Sequence, residues 1–485
     1  MELDSLILAL PEILLAGSAL LLLMVGVFYR GDAARTVSWL AVLVLLLVGV
    51  AAVAVAPGAE PRTILSGLFV TDRFALFVKI LVLAASAIAI VLSQGFNERE
   101  GIARFEYPVL IVLATLGMMM MVSANGLISL YMGLELQSLA LYVVAAFHRD
   151  SQRSTEAGLK YFVLGALASG MLLYGASLIY GFVGSTSFTV IGNALRDGAG
   201  AGAPSVGLIV GLVFLMVGLA FKIAAVPFHM WTPDVYEGAP TPVTTFFAAA
   251  PKVAAFGLLI RVLVGPFQGV SDAWQQIVVA LAVGSMVIGA FGAINQRNIK
   301  RMMAYSAIAH VGFALVGLAA ANAAGVRAVL IYIAIYLVMT LGSFCCILCM
   351  RVNGRMVEGI DDLAGLSKSN PHMALALAIF MFSMAGIPPL AGFFGKLYVF
   401  MAAIEAGLYS LAVIGVLASV VAAFYYLRVV KVMYFEDPVG AFDRPIGGEM
   451  VAVQAVAGVL ILFFFAWPGP LLAAADVAVR SLFGG

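Results

Sequence analysis

Five lysines stand inside stretches that are otherwise almost wholly apolar: Lys79, Lys160, Lys222, Lys252 and Lys396. Glu135, in YMGLELQSLALY, is the one acid near the middle of such a stretch. A charge at mid-bilayer costs about 3 kcal/mol or more, so several in one bundle must be paired or put to use. Lysine suits use. Burial disfavours the charged amine and a nearby carboxylate favours it, so moving the acid or admitting water can switch a buried lysine between neutral and cationic forms. Arginine effectively cannot lose its proton, and every arginine here falls in a connection or near the end of a stretch. Proton movement needs this pattern: convertible amines, an acid close enough to bias them, and water from one side at a time.

The elements that must position these groups are membrane helices. The chain has 485 residues, 64% of them hydrophobic and only 11% charged, against roughly 25% charged in an ordinary soluble domain. No soluble fold of this length hides so much apolar surface. The net charge of +1 and the lack of any basic run give no sign of nucleic-acid binding. Cys345, Cys346 and Cys349 lie in one apolar stretch with no histidine close by, and read as small buried hydrophobes rather than metal ligands. The start, MELDSLILALPEILL, carries Glu2 and Asp4 and no cleavage site, so the first span is expected to insert uncleaved.

A spanning helix takes about 20 apolar residues. Fourteen such spans are expected, near 5–29, 36–56, 72–94, 107–122, 124–147, 156–183, 206–231, 242–264, 273–295, 299–320, 326–350, 371–404, 407–433 and 448–467. With an even number, both termini share a side. Of the 26 Lys and Arg, fifteen (from Arg30 to Arg444) fall on the opposite side, six on the terminal side and five within the spans. Basic residues accumulate on the cytoplasmic face, which puts both termini outside.

Two spans hold prolines. Lys222 lies a few residues before Pro227 in the seventh, and Lys396 follows Pro388-Pro389 in the twelfth. Proline breaks a helix, and freed backbone groups are tolerated in a membrane only where they line a cavity or bury in protein. Paired broken helices are the usual pointer to a transport site. Spans 4–8 and 9–13 form two runs of five, and because five is odd the second run enters from the other side. The expected architecture is therefore all-α, with an N-terminal three-helix segment (1–106), two inverted five-helix repeats (107–264 and 265–433) and a C-terminal helix (434–485).

Five segments carry a resemblance: YMGLELQSLALYVVAAFHR, EAGLKYFVLGALASGMLLYG, FKIAAVPFHMWTPDVYEGAPTPVTTFFAAAPKVAAFG, QRNIKRMMAYSAIAHVG and SMAGIPPLAGFFGK. Over roughly residues 70–435 the sequence closely resembles the proton-conducting, antiporter-like membrane subunits of respiratory complex I, and most closely their N-type branch. The GLELQSLALY and GLKYFVLGALASG wording is N-like, as is a lysine at Lys396, where the M type carries a glutamate. No long lateral C-terminal helix is expected, unlike the L type. The resemblance implies a relay. Glu135 and Lys160 would form a charged pair on the fifth and sixth spans, Lys222 would switch, Lys252 would be the central relay, and Lys396 would end the line, with His229 and His310 as intermediates. It also implies energy from quinone chemistry in other subunits, a bacterial inner membrane, and neighbours of the K and M types. Flavin, iron–sulfur and quinone are expected in partner subunits. This chain shows no phosphate-cradling glycine loop and no cysteine ligand set.

Plainer readings stand beside these. Lys160 is shallow enough to snorkel to the interface, Lys79 sits near a helix end, and Lys300 reads as an interfacial anchor. His229, beside a tryptophan, could satisfy broken backbone groups. Two other functions compete. A stand-alone multisubunit sodium/proton antiporter would use the same lysines. An organic-solute transporter would want polar or arginine side chains at its breaks, which here carry Pro, Gly, Ala and Phe.

Overall fold

The computed structural model of the chain describes residues 2–58, 60–198 and 205–483. Among them run twenty-one α-helices. They are α1 (Glu2–Leu8), α2 (Leu10–Phe28), α3 (Ala33–Ala54), α4 (Arg73–Arg99), α5 (Glu106–Val122), α6 (Leu127–Ala145), α7 (Gln152–Val183), α8 (Phe188–Gly198), α9 (Val206–Ile223), α10 (Trp231–Gly238), α11 (Thr241–Ala248) and α12 (Ala250–Val264). The second half holds α13 (Ser271–Ile294), α14 (Ile299–Ala319), α15 (Ala323–Leu348), α16 (Leu366–Ser369), α17 (Pro371–Ala385), α18 (Ala391–Glu405), α19 (Tyr409–Phe435), α20 (Gly448–Leu462) and α21 (Gly469–Phe483). Eleven helices, counting α11–α12 as one, are long and apolar enough to cross a membrane, and α5, α17 and α20 are shorter apolar helices.

Polar caps and glycines set the boundaries. Asp72 accepts from the Ala75 amide at 2.7 Å to start α4, and Asn298 accepts from both Lys300 and Arg301 amides to start α14. These side chains satisfy amides that have no partner within the helix. α6 lies flush on α5: a Cβ at Gly133 would sit 2.6 Å from the Met121 amide nitrogen. The α13–α14 pair is equally close: a Cβ at Gly312 would sit 2.7 Å from the Met286 amide nitrogen. Small residues permit this approach where no water exists to drive packing. α12, α14 and α15 form the interior, almost completely buried, while α2, α3, α7, α13 and α19 turn apolar side chains outward.

The expected breaks exist. α9 ends at Ala224 in the left-handed region (φ +65°), and the Pro227 segment leads into α10. α17 ends at Gly386 (φ +88°) and Pro388-Pro389 separates it from α18. The eighth span, expected unbroken over 242–264, is also interrupted. Ala249 leaves helical geometry (φ −107°, ψ −96°), separating α11 from α12 three residues before Lys252.

Some elements were not expected. The hairpins β1–β2 (Arg62–Ile64, Phe69–Thr71) and β3–β4 (Arg351–Val352, Arg355–Met356) cap the bundle, and α8 is a short amphipathic helix. The C-terminal segment holds two helices rather than one. α21, with 15 residues, is too short and too mixed to read as a span. It docks through Ala475, Ala478 and Val479, pairs Asp476 with Arg327, and accepts the Phe74 amide N–H at Ser481 Oγ, 3.0 Å away.

Candidate functional site

Each of three buried lysines sits at a helix break. Lys222 occupies the last turn of α9 and donates to the Ser138 hydroxyl at 2.6 Å, with the Tyr142 ring 5.5 Å away. Ser138 is one turn along α6 from Glu135, on the same face. Glu135 is half-buried and accepts a hydrogen bond from Ser169 of α7. The amine on Ser138 and the acid on Ser169 thus stand close together without a direct hydrogen bond, Ser138 itself donating to the Leu134 carbonyl, and the glycine contact with α5 fixes the helix that carries the acid.

Lys252 follows the α11–α12 break, 3% exposed, and its ammonium nitrogen has no hydrogen-bond partner among the described residues. Its nearest aromatic support is the Tyr236 ring, 5.7 Å away. A cavity that it shares with His310, Tyr332 and Tyr336 offers about 10 Å³ to water centres, about enough for one water molecule. Between Lys222 and Lys252 stands a chain of rings: Phe221 is 5.6 Å from Trp231, and Trp231 is 6.3 Å from Tyr236. No continuous hydrogen-bond path crosses this cluster among the described residues.

His310 of α14 is fully enclosed. Its Nδ1 lies 2.6 Å from the Tyr332 hydroxyl and its Nε2 lies 3.0 Å from the Tyr426 hydroxyl, which in turn is 2.5 Å from Ser306 Oγ. On its other side Phe313 lies 6.0 Å from the imidazole and 4.7 Å from the Lys396 ammonium. Lys396 donates to the carbonyls of Met384 (3.0 Å) and Ala385 (3.1 Å) and to Ser419 Oγ (2.7 Å). Those carbonyls are the last two of α17, where unpaired acceptors and the helix dipole favour a cation.

Two expected members stand apart from this line. Lys160 does not pair with Glu135. Its ammonium is held by Asp234 at 2.7 Å and Glu156 at 2.8 Å. Ser169, which holds Glu135, is nine residues further along α7, about 13 Å at the helical rise. The shallow position of Lys160 leaves it 41% exposed, within reach of acids from the α10 side. His229 is half-buried at the α9–α10 break, and its Nδ1 has no protein partner among the described residues. No hydrogen bond or ion pair joins its side chain to any of the lysines there.

Other groups carry more than the sequence suggested. Lys300 is 2% exposed and is no simple anchor: it donates to the Glu237 and Ala239 carbonyls, each at 2.9 Å, and to Glu358 Oε1 at 3.0 Å. With Arg301 bridging Asp234 (2.8 Å) and Glu237 (3.0 Å), it closes a charged lattice over the end of α10. Lys79 is buried in an ion pair with Glu12 at 2.5 Å. Arg261, expected at a water-facing helix end, is buried and grips Asp72 with two nitrogens at 2.9 Å each. Ser138, Tyr332 and Tyr426 left no sequence signal, since serine and tyrosine are ordinary in helices.

The family described as NADH:quinone oxidoreductase/Mrp antiporter, TM, matches residues 124–422. NADH-quinone oxidoreductase subunit N of Parvibaculum lavamentivorans is 63% identical, over 98% of this chain and 97% of its own. The protein of the same name from Paramagnetospirillum magneticum is 60% identical over similar coverage. Among solved structures, a chain of respiratory complex I from Thermus thermophilus with bound aureothin superposes with a TM-score of 0.82 at 32% identity, covering 96% of this chain and 99% of that one. A chain of the Mrp complex from a Dietzia species reaches 0.85 at 23% identity, covering 100% and 98%, and so shares the fold. The chain belongs to the family of NADH-quinone oxidoreductase N subunits, within the antiporter-type membrane proteins common to NADH:quinone oxidoreductases and Mrp antiporters.

Proposed function

We propose that this chain moves protons as a membrane-arm subunit of an NADH:quinone oxidoreductase, by a relay of buried lysines driven by redox chemistry in other subunits. The observation that carries the reading is that Lys222, Lys252 and Lys396 are all buried at helix breaks and each lies against polar groups or a hydratable cavity. Glu135, one turn along α6 from the Ser138 that holds Lys222, biases the amine by its charge. Lys252 and His310 share a cavity of one-water size, and His310 leads to Lys396 past Phe313. The ring cluster between Lys222 and Lys252 is the step that opens only when water is admitted.

In this reading Lys160 belongs to the charged mouth with Asp234, and His229 sits beside the broken backbone rather than in the line. The chain is a non-redox part of the enzyme: flavin, iron–sulfur and quinone chemistry belong to its partners, with neighbours of the K and M types. Fourteen crossings, the eleven long apolar helices with α5, α17 and α20, put both termini on one side of a bacterial inner membrane, and the fifteen-to-six asymmetry of Lys and Arg makes that side periplasmic. The inverted repeats 107–264 and 265–433 are supported by the matching glycine-lined pairs α5–α6 and α13–α14. The segments 1–106 and 434–485 flank them.

A subunit of a stand-alone sodium/proton antiporter would use the same amines. The identity figures favour the oxidoreductase, at 63% and 32% against 23%. Affinity purification from native membranes separates the two. Co-purification of flavin and iron–sulfur proteins with NADH oxidation activity is expected. A purely membranous assembly would favour the antiporter.

A further inference from the structure

His310 is the middle of a hydrogen-bonded file rather than an isolated imidazole. From one end the order is Ser306 Oγ, Tyr426 Oη, His310 Nε2, His310 Nδ1 and Tyr332 Oη, with separations of 2.5, 3.0 and 2.6 Å across the three hydrogen bonds. All four side chains are buried. They come from three elements, α14, α19 and α15, so the file is a tertiary construction. The Tyr332 hydroxyl has no second partner among the described residues, and Tyr332 lines the cavity that Lys252 also lines.

Each hydroxyl has one proton to give and lone pairs to receive, and a neutral imidazole has one donor and one acceptor. Such a file has two self-consistent polarities. In one, Ser306 donates to Tyr426, Tyr426 donates to Nε2, Nδ1–H donates to Tyr332, and the Tyr332 proton faces the cavity. In the other, every bond is reversed and the ring carries its proton on Nε2.

We propose that Tyr332, Tyr426 and Ser306 form with His310 a proton wire that feeds Lys252 from the Ser306 end, with the two tyrosines setting the tautomer of His310. This rests on the relay reading of Lys252. A proton taken up at Ser306 releases the serine proton to Tyr426, whose own proton passes to Nε2. The ring gives its Nδ1 proton to Tyr332, and the Tyr332 proton reaches neutral Lys252 over one water in the shared cavity, making the ammonium. One proton enters and one leaves. Every oxygen and nitrogen in the file ends with as many protons as it began, apart from the imidazole, whose proton has moved from Nδ1 to Nε2. Rotation of the hydroxyls and reorientation of the imidazole ring reset the first polarity. A file of fixed hydroxyls needs no cavity of its own, which fits the close packing around His310.

The test uses the whole complex in its membranes, with Tyr426→Phe, Tyr332→Phe and Ser306→Ala compared with Lys252→Ala. Phenylalanine keeps the ring and its packing and removes only the hydroxyl. The readouts are the rate of proton output during NADH oxidation, the solvent deuterium isotope effect on that rate, and the imidazole tautomer bands in difference infrared spectra. Each phenylalanine variant should assemble, slow proton output on the order of a hundredfold, and shift the tautomer bands. A variant that damaged packing alone would leave those bands in place. If a tyrosine variant fails to assemble, Ser306→Ala tests the far end of the file alone. Normal output and unchanged bands in the tyrosine variants, with output lost in Lys252→Ala, would overturn the wire and leave the relay standing. Normal output in Lys252→Ala as well would overturn the relay itself.

Discussion

The Lys396 ammonium reaches back across the Gly386 turn to the Met384 carbonyl, 3.0 Å away, so the lysine of one half-helix caps the other. The turn has no room for change. Gly386 has φ +88°, and a Cβ there would meet the Lys396 side chain at 3.0 Å. Gly386→Ala should therefore cost about 1–3 kcal/mol through its backbone conformation and displace the ammonium as well. Lys396→Met keeps the stem and removes the charge, leaving the carbonyls of α17 without that donor. Both variants should lower proton output in an assembled complex. Output at the wild-type level in Lys396→Met would remove Lys396 from the relay.

Lys222 rests on Ser138, one turn along α6 from Glu135, so the acid acts on it by charge and the hydroxyl by contact, which fixes an order of severity. Lys222→Ala should lower both pumping and NADH oxidation while the complex still assembles. Glu135→Gln removes the charge that biases the lysine and should also impair turnover. Ser138→Ala should be milder, since it removes the 2.6 Å link but leaves both charges in place. Proton output and NADH oxidation measured in one membrane preparation would rank the three. A Ser138 variant worse than Lys222→Ala would show that the hydroxyl acts by another route.

The lysine positions and two of the three breaks were legible because a charge or a proline in an apolar stretch is a strong local signal. Partners were far less legible. Lys160 was expected to meet Glu135, but Asp234, 74 residues away, arrives beside it once α10 folds back. Tyr332 and Tyr426 matter only through contact with His310, and their residue types are common in helices. The break at Ala249 has no proline at the residue itself. α21 and the hairpins fell below the length that a search for spans detects. Arg261 read as a helix-end charge because its mate, Asp72, lies 189 residues earlier.

That arginine pair is structural. Arg261 also donates to the Val122 carbonyl at 2.6 Å, tying α12 to the start of α4 and the end of α5. Removing one partner of a buried pair leaves an uncompensated charge and costs about 3–5 kcal/mol. Asp72→Ala should thus reduce the amount of assembled complex, with proton output per assembled complex unchanged. A loss of output without a loss of assembly would place Arg261 in the proton path instead.

Lys160 invites the opposite expectation. Its two acidic partners hold a side chain that is 41% exposed, and such pairs contribute about 0–1 kcal/mol. Lys160→Ala should leave assembly intact and lower turnover less than Lys222→Ala. The charged mouth it belongs to keeps Arg301 on Asp234 at 2.8 Å. Asp234→Asn, which weakens both contacts, should have the larger effect of the two. If Lys160→Ala abolished pumping, Lys160 would return to the relay.

Glu358 gives the molecule an acid-sensitive fastening. Burial pushes its carboxyl up, but Lys300, Asn298 and Arg153 outweigh burial and hold it below the ordinary carboxylate range. The carboxyl is therefore easier to ionise in the folded protein than in the unfolded chain. Its stabilisation is fully present above the unfolded value, about 4.3, and is lost as pH falls through the lower folded value. Losing it frees the Lys300 ammonium, which also holds the α10 end through the Glu237 and Ala239 carbonyls. Glu358→Gln should lower the thermal midpoint of the detergent-solubilised complex at pH 7, by the equivalent of about 1–3 kcal/mol. The gap to the wild type should narrow as the buffer is taken into the acid range, because protonation gives the wild-type side chain the same neutral character. A gap that stayed constant from neutral to acid would mean that Glu358 acts by shape rather than charge.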